Sequence, residues 1–368
     1  MKSIQIIPEY SMEVRFDGNT IELYDQIHDE IIATTKTELD IVRIEKVSFN
    51  TFRFWDTVNQ HSKLYVDLIH NYSRVKTNAV YILNIHFIDP SHGYYFGTYE
   101  LGEFVLLGEG DLKIKRRYPI KYCLRGVVAP SGILYFGLRE TVNDIHSYFL
   151  TKLDWKFGKD PIVWKKSIPA SILSINLYEN LLFLGLKDGS IQIWDLEREE
   201  LSKKIDIFEN PVSLIEICRD KIIFTSWKGD ITALSKEGKI IWKCKPSIKK
   251  ISGVFENDDG INIVDEGGKF ILLNSISGEI IKELQWKFGA YKYGSIASNL
   301  VIFRNWIIGA GGYGIWAHWS ENHDVQFHVY DEDILMRKLV EHPVGFYSGD
   351  DAGYIRFWKA GGLRIQPL

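Results

Sequence analysis

Leu181–Ile205 reads LLFLGLKDGSIQIWDLEREELSKKI. Leu182, Leu184 and Leu186 recur with the two-residue period of a strand. Lys187-Asp188-Gly189-Ser190 then supplies a turn, in which Gly189 takes a positive φ at little steric cost. Ile191 and Ile193 resume the alternation with Gln192 on the other side. Trp194-Asp195 closes that run, and LEREEL leads into a further one. A short apolar run, an Asp-Gly turn and a second alternating run make a β-hairpin signature.

The same register recurs along the chain. Thr20-Ile21-Glu22-Leu23-Tyr24-Asp25 and Thr51-Phe52-Arg53-Phe54-Trp55-Asp56 match Ser190–Asp195 position by position. So do Asp230–Ser235, Lys269–Asn274, Gln326–Asp331 and Tyr354–Lys359, with weaker copies ending at Gly108 and Asp154. From Asp25 to Lys359 the nine ends are spaced by about 42 residues on average, the length of one four-stranded propeller blade. Residues 26–100 are the least repeat-like, and no linker or low-complexity tract divides the chain.

Leu181–Ile205 resembles a WD40 repeat, with its Asp-Gly turn and Trp194-Asp195 pair. Tyr347–Trp358, reading YSGDDAGYIRFW, is similar. Ile231–Trp242 and Ile271–Leu284 look instead like the quinoprotein-type propeller repeat, in which a strand, a small turn and a Gly-Lys or Gly-Glu step lead to another strand. The Gly-His dipeptide usual in WD40 repeats is absent. The resemblance implies an all-β fold: one β-propeller domain over residues 1–368, built of four-stranded blades. Spacing favours eight blades, with seven the alternative.

Composition fits this reading. Aromatic residues make up 14% of the 368-residue chain (11 Trp, 19 Tyr, 20 Phe), with 30 Gly and only 10 Pro, a bias toward strands and turns. Charged residues at 25% and hydrophobic residues at 45% are those of a globular protein. A net charge of −4 gives no general attraction to nucleic acid or anionic membrane. Cys123, Cys218 and Cys244 lie far apart with no CxxC. They point to neither a disulfide framework nor a zinc site, and fit a reducing compartment. The first residues, MKSIQIIPEY, lack the apolar core of a secretory signal. No run of 18 uncharged apolar residues spans a membrane. The expected location is the cytoplasm.

Trp306–Asp331 is the segment richest in chemical side chains: WIIGAGGYGIWAHWSENHDVQFHVYD. Gly309, Gly311 and Gly314 form a GxGxxG, but nucleotide binding needs a helix starting at the third glycine. IWAHWSENHD is a poor helix, so no NAD or FAD affinity is expected. His318, His323 and His328 carry imidazoles, yet spacings of five and five match no metal signature; no metal and no cofactor are expected. Tyr313, Trp316, His318, Trp319, His323 and His328 are instead candidates for partner contact, because aromatic side chains with polar tips dominate binding hot spots. The segment also fills the longest interval between repeat ends, from Asn274 to Asp331. A basic run, Lys113–Tyr118 with Lys121, Tyr122 and Arg125, could meet phosphate; on an alternating strand it reads as a solvated outer face.

No GxSxG, Walker loop, HExxH or SxxK set appears in a fitting context. The expected function is a non-enzymatic scaffold: a WD40-like platform for protein partners or a subunit of a complex. Nucleic acid and membranes are not expected partners. The alternative is a propeller hydrolase or lactonase, or a small-ligand binder, with its site in a central channel.

Overall fold

A computed structural model describes residues 3–7, 12–25, 29–48, 51–58, 60–76, 86–87, 94–96, 103–107, 114–120, 122–154, 161–285, 296–303, 306–311, 314–319, 325–329, 336–342, 345–350 and 352–367. The fold is all-β: 69% strand, with no helix among the described residues. The strands form antiparallel sheets of four, each following chain order: residues 3–36, 86–119, 123–168, 172–206, 212–244, 251–285 and 296–329. The remaining sheet has six strands and joins the two ends of the chain.

In the 172–206 sheet the strand Leu181–Leu186 pairs with Ser190–Asp195, with Phe183 opposite Ile193 and Leu184 opposite Gln192. Gly189 takes φ 86°, and a Cβ there would lie 2.1 Å from the Phe208 carbonyl oxygen. Asp188 Oδ1 accepts from the Ser190 amide at 3.0 Å and hydroxyl at 2.7 Å, fixing the turn. These are the elements the sequence pattern predicts.

The alternation, however, separates two buried faces rather than a core face from a wet one. Leu182, Leu184, Leu186 and Trp194 pack with Tyr135, Leu150 and Ile168 of the preceding sheet. Phe183, Ile191 and Ile193 pack with Val212, Ile215 and Phe224 of the following sheet. Ile223, Ile231 and Trp242 continue the series against Ile251, Val254 and Ile263. Gln192 is therefore buried, and its Oε1 accepts the Trp194 indole N–H at 3.0 Å. The 172–206 and 212–244 sheets thus each sit between two neighbours, with apolar residues filling both gaps.

Exposure follows strand position in the 172–206 sheet: its second and third strands are almost wholly buried and its fourth, Glu200–Asp206, is nearly all exposed. Gly260–Asp265 and Ile280–Gln285 repeat the contrast in the 251–285 sheet. In the 123–168 sheet the third strand, Ile145–Leu153, is exposed over its first residues. First strands lie side by side in chain order: Cys123–Val128 against Ile172–Tyr178, that against Val212–Ile217, and onward through Ile251–Asn257 and Ile296–Phe303 to Met336–His342.

The six-stranded sheet consists of two halves. Tyr354–Pro367 pairs antiparallel with His61–Lys76 over its whole length, from Tyr354 opposite Lys76 to Pro367 opposite Ser62. A register shift between Lys359 and Ala360 divides the ladder. On one side of it, Met336–His342 and Gly345–Asp350 complete a four-stranded set with 354–359 and 71–76. On the other, Ile41–Ser48 and Thr51–Asp56 complete a set with 61–67 and 362–367. The first half has a buried polar centre. Asp350 pairs with Arg356, the Asp350 carboxylate accepts the Tyr354 amide at 2.8 Å, and the Trp358 indole donates to Ser348 Oγ at 2.7 Å.

Seven of the nine repeat ends close the third strand of a set, as at Thr20–Asp25, Glu103–Leu107 and Lys269–Leu273. Two do not. Thr51–Asp56 lies between Ile41–Ser48 and His61–Lys76 and is the second strand of its set in chain order. Gln326–Asp331 overlaps Val325–Val329, the fourth strand, while the third is Gly314–Trp319.

Candidate functional site

The Trp306–Asp331 segment is a run of paired strands. Trp306–Gly311 pairs with Gly314–Trp319, and that strand pairs with Val325–Val329. Gly314 thus opens a strand and not a helix, so the backbone offers no helix N-terminus to a pyrophosphate. Trp316, His318 and Trp319 occupy the third strand and His328 the fourth; Tyr313 and His323 lie outside the described residues. His318 stands opposite Val325 and His328 opposite Ile315, three rungs apart along the ladder, so the register does not set these two across from each other. With the third strand ending at Trp319, the interval from Leu273 loses its unusual length. The segment then holds three strands that the sheet needs.

In Ile114–Pro119, Arg117 is exposed and Tyr118 is buried among Cys123, Leu134 and Phe136. Tyr122 takes φ 57°, and the Arg139 guanidinium lies 4.8 Å over its ring. Lys113 and Lys121 lie outside the described residues.

The turns between strands lie at two ends of the sheets, and these ends are bonded differently, which no linear pattern marks. At one end, neighbouring sheets are cross-linked through their polar side chains. Lys236 Nζ donates to Tyr178 Oη at 2.6 Å and Lys203 Nζ to the Gly238 carbonyl at 2.9 Å. Arg219 reaches Asp258 at 2.6 Å, and its amide donates to Glu256 at 2.8 Å. Lys221 Nζ donates to Ser275 Oγ at 3.0 Å, and Ser275 in turn to Glu256 at 2.9 Å. Near the outer edge, Lys152 donates to Glu199 at 2.6 Å. This bond holds the Glu199 carboxyl below its ordinary range.

At the other end, the turns carry Lys187, Trp227 and Lys228, and the loop leaving the 212–244 sheet carries Ile248 and Lys249. Trp227 and Ile248 are exposed, at 48% and 85%. Linear reading passed over these residues because each is an isolated loop position.

The three thiols are not activated. Burial pushes Cys218 up to about 12, with Glu256 and Glu216 adding to it, and burial pushes Cys244 to about 11. Cys123 is also raised well above its usual value by burial. All three are free cysteines, and the described residues hold no group of three or more metal-ligating side chains. None of the helices among them is long and apolar enough to cross a membrane, since there are none. No protein-family model and no curated protein matches the chain.

Proposed function

We propose that the chain is a WD40-like propeller acting in the cytoplasm as a non-enzymatic docking platform for protein partners. The reading takes the seven sets from residue 86 to residue 359 as blades, the smaller of the two expected counts. Its support is the chain-order contact of first strands, together with residues 71–76. This strand precedes the first blade and supplies the fourth strand of the last, joining the two ends of the series. The sets 3–36 and 41–67 then attach through the continued 61–67 and 362–367 pairing.

The observation that carries the platform reading is the burial of both faces of the middle strands between neighbouring sheets. Solvent then meets turns and fourth strands, held on a rigid stack, which is where binding residues sit on such scaffolds. The test is capture by the immobilised full chain under native conditions, followed by partner identification. A Trp319→Ala and His323→Ala double variant reports whether the 313–328 segment contributes. A protein partner retained in fixed stoichiometry is the expected result. A chain that retains none and turns over ester or lactone substrates overturns the proposal in favour of an enzyme.

A further inference from the structure

We infer that the turn Ser226–Asp230 and the loop 245–250 form one docking surface for an acidic protein segment bearing an apolar anchor. The inference rests on the platform reading and assigns it a surface and a partner chemistry.

Backbone geometry makes the two pieces adjacent. Gly229 takes φ 78°, and a Cβ there would lie 2.3 Å from the Ser247 carbonyl oxygen and 2.7 Å from that of Lys249. Lys245 reaches across to Asp230 at 2.9 Å. Both pieces are pinned from beneath. Ser226 Oγ donates to Asp230 at 2.6 Å and accepts the amides of Lys228 and Asp230 at 3.1 Å each. The Trp227 amide donates to the Pro211 carbonyl at 3.0 Å. In the loop, buried Ser247 donates to buried Asp265 at 2.6 Å, and its Oγ accepts the Lys249 amide at 3.0 Å.

Trp227 and Ile248 therefore stand exposed on a backbone that is already ordered. Isolated exposed apolar residues are common and need no explanation; Ile276, 83% exposed in the turn after Asn274, is one. Trp227 and Ile248 differ because they share one fixed surface. Binding there forfeits little backbone entropy, the cost that usually erodes affinity. Trp is also the residue most enriched in hot spots.

Charge selects the partner. On the surface itself, the turn and the loop carry Lys228, Lys245, Lys249 and Lys250 against Asp230. Lys245 pairs with Asp230 and Lys250 with Glu266, and Asp265 is buried beneath the loop. Lys228 and Lys249, beside Trp227 and Ile248, have no ion-pair partner among the described residues. The charge flanking the two apolar side chains is thus positive, and a carboxylate-rich segment complements it. At the opposite end the lysines and Arg219 are already bonded to neighbouring sheets.

The probe is a short fluorescein-labelled peptide of Glu and Asp around one central Phe, titrated by anisotropy into the full chain. Controls are the same peptide with the Phe removed and a Lys-rich peptide keeping it. Trp227→Ala should weaken binding about thirtyfold, as for a hot-spot aromatic. Lys228→Glu with Lys249→Glu should weaken it at least roughly tenfold, and added salt should reduce the wild-type affinity. Both sites are exposed, so circular dichroism and melting should match the parent. Absence of saturable binding, equal binding by the variants, or equal binding of the Lys-rich peptide overturns the inference. Partner capture by the immobilised chain separates the two failures: a partner retained equally by the double-Lys variant sinks this surface and leaves the platform standing.

Discussion

Truncating Leu184 and Ile193 separately tests whether each sheet is buried on both faces. They are near neighbours in the ladder, since Leu184 stands opposite Gln192 and Phe183 opposite Ile193. Leu184 packs toward the preceding sheet and Ile193 toward the following one. Either change to Ala removes three carbons from a buried position. At ~0.8 kcal/mol per methylene the transfer part is ~2.4 kcal/mol, and the cavity left behind raises the loss to ~3–4 kcal/mol. Because the two side chains share no apolar partner, their effects should add to within ~0.5 kcal/mol in spite of their proximity. The additivity measurement uses Ile193→Val, at ~1 kcal/mol, so that the native state of the double variant stays populated.

The assay is urea unfolding followed by Trp fluorescence and by far-UV circular dichroism, with the slope of the transition compared between variants. A two-layer sandwich with one wet face would give a different result. One of the two residues would then face solvent, and its truncation would cost no more than ~0.5 kcal/mol. A near-silent Leu184→Ala or Ile193→Ala refutes the stacking of sheets, and with it the proposed propeller. Strong coupling between them would show that the two clusters are one.

Glu199→Gln should destabilise the fold at neutral pH by under about 1 kcal/mol, because the carboxylate is partly exposed and its bond to Lys152 is screened. Glu199 is held below its unfolded value, so its contribution is complete above the ordinary Glu range and is lost as pH falls through the depressed folded value. Melting temperatures of parent and variant should therefore differ at pH 7 and converge as the pH drops below the ordinary Glu range; a constant gap excludes the ion pair as the cause. The thiols should resist labelling. With Cys218 near 12, only about one in ten thousand of its thiols is ionised at pH 8, and Cys244 and Cys123 are also raised. Ellman's reagent should react slowly with the folded chain and with all three cysteines in guanidinium; rapid labelling of folded protein contradicts the burial.

What local sequence encodes, local sequence revealed. The Lys187–Ser190 turn needs a glycine at positive φ and an Asp to hold the following Ser, and both are read within four residues. Third strands such as Thr20–Asp25 and Ser190–Asp195 carry the pattern because their flanks turn. Two features escaped. Gln192 looks like a wet-face residue, but a neighbouring sheet covers it and Trp194 satisfies it, which no period-two pattern distinguishes. The short spacings between repeat ends near the termini, Asp25 to Asp56 and Asp331 to Lys359, suggest terminal segments that share a blade. The register of the ladder between 61–76 and 354–367, which joins strands nearly the whole chain apart, is not written in either segment.

The candidate site shows the same division more sharply. The Tyr313–His328 segment drew attention through density of Trp and His and through an interval that depended on placing the repeat end at Asp331. Once the third strand ends at Trp319, the interval argument falls away and the density remains. Trp227-Lys228 and Ile248-Lys249 made the opposite impression: two short loop fragments, twenty residues apart, that read as ordinary surface. Four strands folded in order return the chain from the second turn of a sheet to the loop leaving it, so positions distant along the chain meet at one end. Their significance is a product of that return and of Lys228 and Lys249, which it sets beside the two apolar side chains. The linear sequence carries the residues of a surface of this kind, and only the strand order carries the surface.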